Sequence, residues 1–307
     1  MPVGRFAPTP SGELHLGSLR TAAVAWLFAR RDASAFLLRV EDLDPVVSRQ
    51  GFEAGQLADL GAIGVDWDGP VRRQSERRLR HDEALAELAG RGLTYECYCT
   101  RREIREASRA PHVAPGTYPG TCRDLSDRER AAARASGRPA ALRLRGTGAV
   151  VRIVDDLRGA VEGAVDDVVL RRNDGVPAYN LAVVVDDADQ GVEQVVRGED
   201  LLPVTPTQAH LGDLLGLPRP RWAHVPLVLG ADGARLAKRH GSVTLTELRA
   251  AGVTPAAVVR WIGRSLGIGG ADGATTVADL LEGFDPASLP SDALVLAPGD
   301  PARSIGP

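Results

Sequence analysis

The sequence predicts an α/β protein on a parallel sheet, with an insertion between two halves of that sheet and a short helical region at the end. Three observations predict it. The stretch Arg5-Phe-Ala-Pro-Thr-Pro-Ser-Gly-Glu-Leu-His-Leu-Gly-Ser18 follows strand-like Val3 and Phe6 and runs into a helical pattern at Leu19, Ala22, Ala23, Trp26 and Leu27. Short apolar runs at 35–40 and 192–196 have strand length and end in charged residues, where open α/β sheets meet their ligands. Between them, residues 93–180 change character: they hold all three cysteines and several short β-like runs.

The first stretch reads as strand, proline-rich turn and helix start. Unpaired backbone N–H groups and the positive end of the helix dipole make that junction a phosphate site. Gly12 and Gly17 allow close backbone approach, His15 and Ser18 add donors, and Pro8 and Pro10 fix the loop. It is neither the spaced-glycine dinucleotide motif nor the Gly-Lys-Ser/Thr loop. Next, the run at 35–40 ends in Glu41-Asp-Leu-Asp44, acids placed to meet a cation or polar groups. A helix is expected over Phe52–Leu60, then a turn at 65–70, then a helix Glu76–Ala89 capped by Ser75 with Leu79, Leu85 and Leu88 on its apolar face. Arg72, Arg73, Arg77, Arg78 and Arg80 read as a solvated basic face.

Within 93–180, Cys97, Cys99 and Cys122 offer three thiolates, and a structural zinc needs a fourth ligand from Tyr118 or His112. On chemistry alone an imidazole suits zinc better than a phenol. Ser126-Asp-Arg-Glu129 is a capping box. Strands are expected at Ala141–Arg145, Val150–Val154 and Val168–Arg172. The second half opens with a buried strand at Leu181–Val185, then a strand at Val192–Val196 ending in Arg197. Thr205 is expected to cap a helix with Pro206 in its first position, and His224–Leu229 forms the next strand. A basic loop, Arg235-Leu-Ala-Lys238-Arg-His-Gly241, would face the first loop and neutralise phosphate charge. Thr254 caps a helix at Pro255–Leu266, and the tail at 298–307 is expected to be mobile and outside any core.

Composition bounds the function. A net charge of −3 over 307 residues leaves no global basic field, so any nucleic-acid surface is local. No apolar run reaches the ~18–20 residues that span a bilayer, and the start Met-Pro-Val-Gly-Arg lacks a signal-peptide pattern. A cytoplasmic, membrane-free protein acting as a monomer is the expectation.

The Arg5–Gly12 and His15–Ser18 motifs together resemble the signature of class I aminoacyl-tRNA synthetases, and more narrowly the glutamyl branch. Arg39–Asp44, Asp66–Pro70, Gln74-Ser75 and the string from Ala178 to Gln208 resemble the same branch, and Arg235–Lys238 resembles its second, lysine-rich signature in degenerate form. The resemblance covers about residues 3–265. It implies a Rossmann-like catalytic fold in two halves, 1–92 and 181–241, a zinc-containing insertion at 93–180 that binds an RNA end, and a short helical region at 242–307. It implies ATP with Mg²⁺ held by Pro8, His15, Gly17, Ser18, Arg235, Leu236 and Lys238, with His15, Ser18 and Lys238 catalytic. It implies L-glutamate held by Arg5, Phe6, Ala7, Pro8, Thr9, Glu41, Tyr179 and Arg197, and one structural Zn²⁺ on Cys97, Cys99, Tyr118 and Cys122. Ordinary glutamyl-tRNA synthetases continue beyond the lysine loop into an anticodon-binding domain, whereas only residues 242–307 follow here. The resemblance is therefore to shortened members of the branch, which attach glutamate to the queuosine base in the anticodon loop of tRNA(Asp). A truncated synthetase charging a tRNA 3′ end, a related adenylyltransferase with a small-molecule acceptor, and a non-catalytic RNA-binding relic are the competing expectations.

Overall fold

The computed structural model describes residues 2–107, 118–146, 148–234, 236, 244–296 and 305–306. In chain order the elements are β1 (Val3–Phe6), α1 (Leu16–Arg31), β2 (Phe36–Val40), α2 (Gln50–Ala62), β3 (Arg72–Arg73), α3 (Arg78–Gly90), β4 (Thr94–Cys97), α4 (Arg101–Ala107) and α5 (Asp127–Ala135). There follow β5 (Ala141–Leu144), β6 (Val150–Asp155), β7 (Gly159–Ala164), β8 (Val169–Arg171), α6 (Tyr179–Asp189), β9 (Val192–Gly198) and α7 (Thr205–Leu214). The last are β10 (Arg221–Val225), β11 (Val228–Leu229), α8 (Leu245–Ala250), α9 (Pro255–Ser265) and β12 (Leu294–Val295).

A seven-stranded sheet carries the fold, in the order β3-β2-β1-β9-β10-β6-β7. Every neighbour pair in it is parallel except the β6–β7 hairpin. β1 and β9 lie side by side at its centre, so the two charged strand ends expected from sequence meet. The main core packs α1 against this sheet and against α9: Leu19, Ala22, Leu27, Phe36, Val258 and Ile262 are all buried in one cluster. Arg20 fixes α1 in place. Its guanidinium, 1% exposed, donates to the Pro226 carbonyl at 2.9 Å and to Ser265 Oγ at 2.9 Å, tying the first helix to the end of β10 and to α9. Burial lowers its pKa to about 10. A second, antiparallel sheet, β4-β5-β8, packs with α3, α6 and α7 around Leu85, Leu88, Leu144, Leu170 and Leu181.

Several expectations are corrected. Residues 181–185 lie in helix α6, not in a strand. An apolar run of five is compatible with either state. The helix wins because adjacent Asp186 and Asp187 then face two different partners: Asp186 meets His81 of α3 at 2.9 Å, and Asp187 meets Arg5 of β1 at 3.1 Å. Residues 150–164, assigned to the insertion from sequence, form the β6–β7 hairpin and extend the large sheet past β10. Ser75 does not cap α3: it sits in a short 3₁₀ turn over Gln74–Arg77 and its hydroxyl donates to Asp42 at 2.6 Å, while Leu79 is 76% exposed. Thr205 is the first residue of α7 rather than its cap. The expected strand at 224–229 is two strands broken at Pro226. Ile305 of the expected mobile tail is buried in the main core. The capping box at Ser126 and Thr254's cap of α9 match the reading. Most of the basic run is neutralised, with Arg73 on Glu53, and Arg77 and Arg80 on Asp189.

Candidate active site and cysteine cluster

A cleft of about 480 Å³ opens at the carboxyl ends of β1, β2 and β9, against the start of α1. Its walls bring together residues that lie nearly two hundred positions apart in sequence. The first loop contributes Arg5, Phe6, Ala7, Pro8 and Thr9, and the start of α1 adds His15, Gly17 and Ser18. Glu41 lines it from the end of β2, Tyr179 from the first turn of α6, Arg197 from β9, and Leu236 from the segment after β11. Arg235 and Lys238, like His112, lie outside the described residues.

The start of α1 falls at the expected junction of loop and helix. His15, in extended backbone conformation, is the N-cap, and its Nδ1 accepts from the Ser18 amide at 3.2 Å. Ser18 Oγ lies 3.2 Å from His15 Nε2. Gly17 is closely packed: a Cβ there would sit 3.2 Å from the His15 ring and 3.3 Å from Val228, so either neighbour would have to give way by a few tenths of an ångström. At Gly12, by contrast, an added Cβ meets no atom of the described residues within 4 Å. The loop is held from behind by Gln56 of α2, whose amide donates to the carbonyls of Thr9 and Gly12 at 3.0 and 2.7 Å.

The charged groups of the cleft divide into two sets. Arg5 is paired: its Nε and Nη2 bond the two oxygens of Asp187, each at 3.1 Å. Arg39, wholly buried in β2, shares Asp187 at 2.7 Å and reaches Glu41 at 3.3 Å. Burial raises the pKa of Glu41 even though Arg39 and Arg5 oppose it. Arg197 is different. Its guanidinium donates to Tyr179 Oη at 3.2 Å, His224 Nε2 at 3.1 Å, and Thr205 Oγ1 and Gln208 Oε1 at 2.8 Å each. All four acceptors are neutral groups, and no carboxylate among the described residues bonds it. Burial lowers its pKa accordingly. A buried cation held only by neutral acceptors leaves a positive charge at the cleft wall. Such a site favours an incoming carboxylate.

Away from the cleft, the three cysteines converge. Their sulfurs lie within 4.8 Å of one another, with Cys99 and Cys122 3.4 Å apart, far beyond disulfide bonding. Tyr118 Oη joins them, at 3.3 Å from Cys97 Sγ and 3.4 Å from Cys99 Sγ. Ligands on a tetrahedral zinc at ~2.3 Å stand roughly 3.8 Å apart, so three sulfurs and a phenol oxygen already spaced this way fit that ion. Burial and the neighbouring Cys122 thiol push Cys99 up to about 12, opposed by Tyr118. A cation placed among these groups would displace their protons. Arg143 stacks on the Tyr118 ring at 3.8 Å and fixes its plane.

Comparison with known proteins places this architecture. The family model described as tRNA synthetases class I (E and Q), catalytic domain, matches residues 3–279. A curated relative from Nocardia farcinica named glutamyl-Q tRNA(Asp) synthetase is 61% identical over 95% of this chain and 92% of its own length. The chain belongs to the glutamyl-Q tRNA(Asp) synthetase family. A relative of the same name from Symbiobacterium thermophilum is 45% identical over 94% of each chain. A glutamate–tRNA ligase from Geobacter sulfurreducens is 39% identical, and there the match spans 63% of the longer protein. The crystal structure of a glutamate tRNA ligase from Elizabethkingia meningosepticum superposes with a TM-score of 0.81 at 27% identity, covering 99% of this chain and 68% of that one. The α/β parallel sheet is thus the class I synthetase fold. No helix among the described residues is long and apolar enough to cross a membrane.

Sequence reasoning missed the residues behind the cleft: Arg39, Asp187, Thr205, Gln208, His224 and Asp155. One signal was available. An arginine in the strand Phe-Leu-Leu-Arg-Val and an Asp-Asp pair closing an apolar run are charges in buried settings, and such charges need each other.

Proposed function

We propose that the protein activates L-glutamate with ATP and transfers the glutamyl group to the queuosine base in the anticodon loop of tRNA(Asp). The observation that carries the amino-acid choice is Arg197. It is a buried cation without a carboxylate partner among the described residues, in a cleft where Arg5 is already matched to Asp187. Family membership supports the acceptor.

In the first step an oxygen of the glutamate α-carboxylate attacks the α-phosphorus of ATP. The bond from that phosphorus to the bridging oxygen breaks, and pyrophosphate leaves. Arg197 and Tyr179 hold the side-chain carboxylate. Glu41 takes the ammonium group, and the backbone of Phe6 to Thr9 with the remaining N–H groups of Arg5 orients the rest. His15, Ser18 and the Gly17 amide take phosphate oxygens at the start of α1, beside Pro8 and Leu236. Arg235 and Lys238 add positive charge where negative charge develops on the leaving pyrophosphate, and Mg²⁺ brought in with ATP would supply further charge neutralisation there. In the second step a ring hydroxyl of queuosine attacks the activated carbonyl carbon. The C–O bond to the phosphate breaks, AMP leaves with the electron pair, and the hydroxyl proton passes to water. The mixed anhydride is reactive enough that no side chain need act as base. Cys97, Cys99, Tyr118 and Cys122 hold a structural zinc that stiffens the 93–180 region against the anticodon arm.

Glutamate-dependent ATP–pyrophosphate exchange without tRNA tests the first step, and transfer of labelled glutamate to tRNA(Asp) with and without queuosine tests the second. Exchange without tRNA, and labelling confined to queuosine-containing tRNA(Asp), is expected. Labelling of tRNA(Glu) instead would overturn the acceptor and favour a 3′-end synthetase.

A further inference from the structure

Arg197 owes its position to a pair of residues outside the cleft. His224, on β10, is wholly buried beside Arg197 on β9, the two strands placing them directly opposite each other. Arg197 Nε donates to His224 Nε2 at 3.1 Å. A guanidinium has no acceptor, so this nitrogen must present its lone pair. In the neutral ring the proton then sits on Nδ1, which donates to Asp155 Oδ2 at 2.5 Å. Asp155 is held in turn by three backbone N–H groups, those of Leu157, Arg158 and His224. Burial lowers the pKa of His224, with Asp155 opposing and Arg197 adding, which keeps the ring neutral. The chain Asp155–His224–Arg197 therefore has one consistent direction of donation. It leaves Nη1 and Nη2 as the groups that face Tyr179, Thr205, Gln208 and the cleft.

We propose that His224 is a positioning residue for substrate recognition: as a neutral imidazole locked in one tautomer by Asp155, it turns the Arg197 guanidinium so that its outer edge meets the carboxylate of the amino-acid substrate. The inference rests on the reading that this cleft binds glutamate. It predicts a split between two near-isosteres. His224→Gln keeps an oxygen acceptor at the Nε2 position and gives up the contact to Asp155. His224→Asn keeps the donor to Asp155 and gives up the acceptor for Arg197.

The test is steady-state ATP–pyrophosphate exchange for the parent, both variants and His224→Ala. Glutamate KM should rise roughly tenfold or more in the Asn and Ala variants, the factor that one hydrogen bond to a charged group carries. It should stay within about threefold of the parent in the Gln variant, and ATP KM should move in none. The glutamate-induced rise in melting temperature gives the same ordering without turnover, so a variant with weak catalysis still reports. An Asn variant equal to the parent with a defective Gln variant would overturn the inference and assign His224 to satisfying Asp155. Equal rises in KM for glutamate and ATP would overturn it too. A parent enzyme with no glutamate-dependent exchange would overturn the functional reading itself, a result distinct from either.

Discussion

Replacing Arg197 by methionine separates stability from binding, because the cleft holds this cation at a cost. The side chain is buried and its four hydrogen bonds go to neutral acceptors. Desolvating an ion costs several kcal/mol, and hydrogen bonds from a charged group return about 1.5–3 kcal/mol each at best. Methionine removes both terms while keeping most of the volume. The two nearly cancel, so the unfolding free energy should change by no more than ~2 kcal/mol in either direction. Glutamate binding should suffer far more. Losing one partner of a buried, hydrogen-bonded charge pair costs about 2–5 kcal/mol, which is a rise in glutamate KM of roughly thirtyfold to several thousandfold. ATP KM should stay near its original value, since the phosphate groups are assigned to the start of α1. The assay is ATP–pyrophosphate exchange with each substrate varied in turn, alongside urea unfolding. Equal rises in both KM values would refute the pocket assignment. A large loss of stability with little change in glutamate KM would show that Arg197 is a structural cation.

The cysteine cluster predicts about one zinc per purified chain by metal analysis, falling sharply in Cys99→Ser together with a lower melting temperature; a metal-free protein that melts at the same temperature would refute the site. Asp59 on α2 predicts a pH effect. Burial pushes its pKa up to about 6, with Arg249 opposing and Glu13 adding. The unfolded chain loses this proton near pH 3.9, so from about pH 4 to pH 6 the folded state binds more protons and unfolding free energy falls as pH rises. Asp59→Asn should remove that decline and gain up to ~3 kcal/mol above about pH 6; urea unfolding that shows no gain at about pH 7.5 would refute it.

The cleft was legible because its wall is made of contiguous motifs. Arg5 to Ser18 is one loop and one helix start, and its cues are local: two prolines, two glycines and the polar side chains of His15 and Ser18, while the capping role of His15 shows only in the structure. Strand ends were legible for a similar reason, since an apolar run that stops at Glu41 or Arg197 marks both a strand and what it presents. The cysteines were legible as a cluster but not as a geometry. Nothing in the spacing says that Tyr118 Oη comes within 3.4 Å of two sulfurs, because that depends on β4 and the segment before α5 folding onto each other. Helix α6 was misread because its decisive residues, Asp186 and Asp187, are explained by partners distant in sequence, on the turn 74–77, α3, β1 and β2.

The least legible part is the most consequential for specificity. Asp155 sits at the end of β6, in a hairpin flanked in sequence on both sides by strands of the small antiparallel sheet, β5 before it and β8 after it. Its strand nevertheless crosses to the large sheet and pairs with β10 at Trp222. That single crossover sets a carboxylate beside His224 and, through it, orients the arginine of the cleft. A charge of −3 spread over 307 residues gives no hint of this. The segment that the resemblance implies grips RNA thus also supplies the anchor of the proposed amino-acid pocket. On the proposed assignment of the cleft, a disturbance of β6 would reach glutamate recognition along three hydrogen-bonded side chains, without passing through the loop at the start of α1.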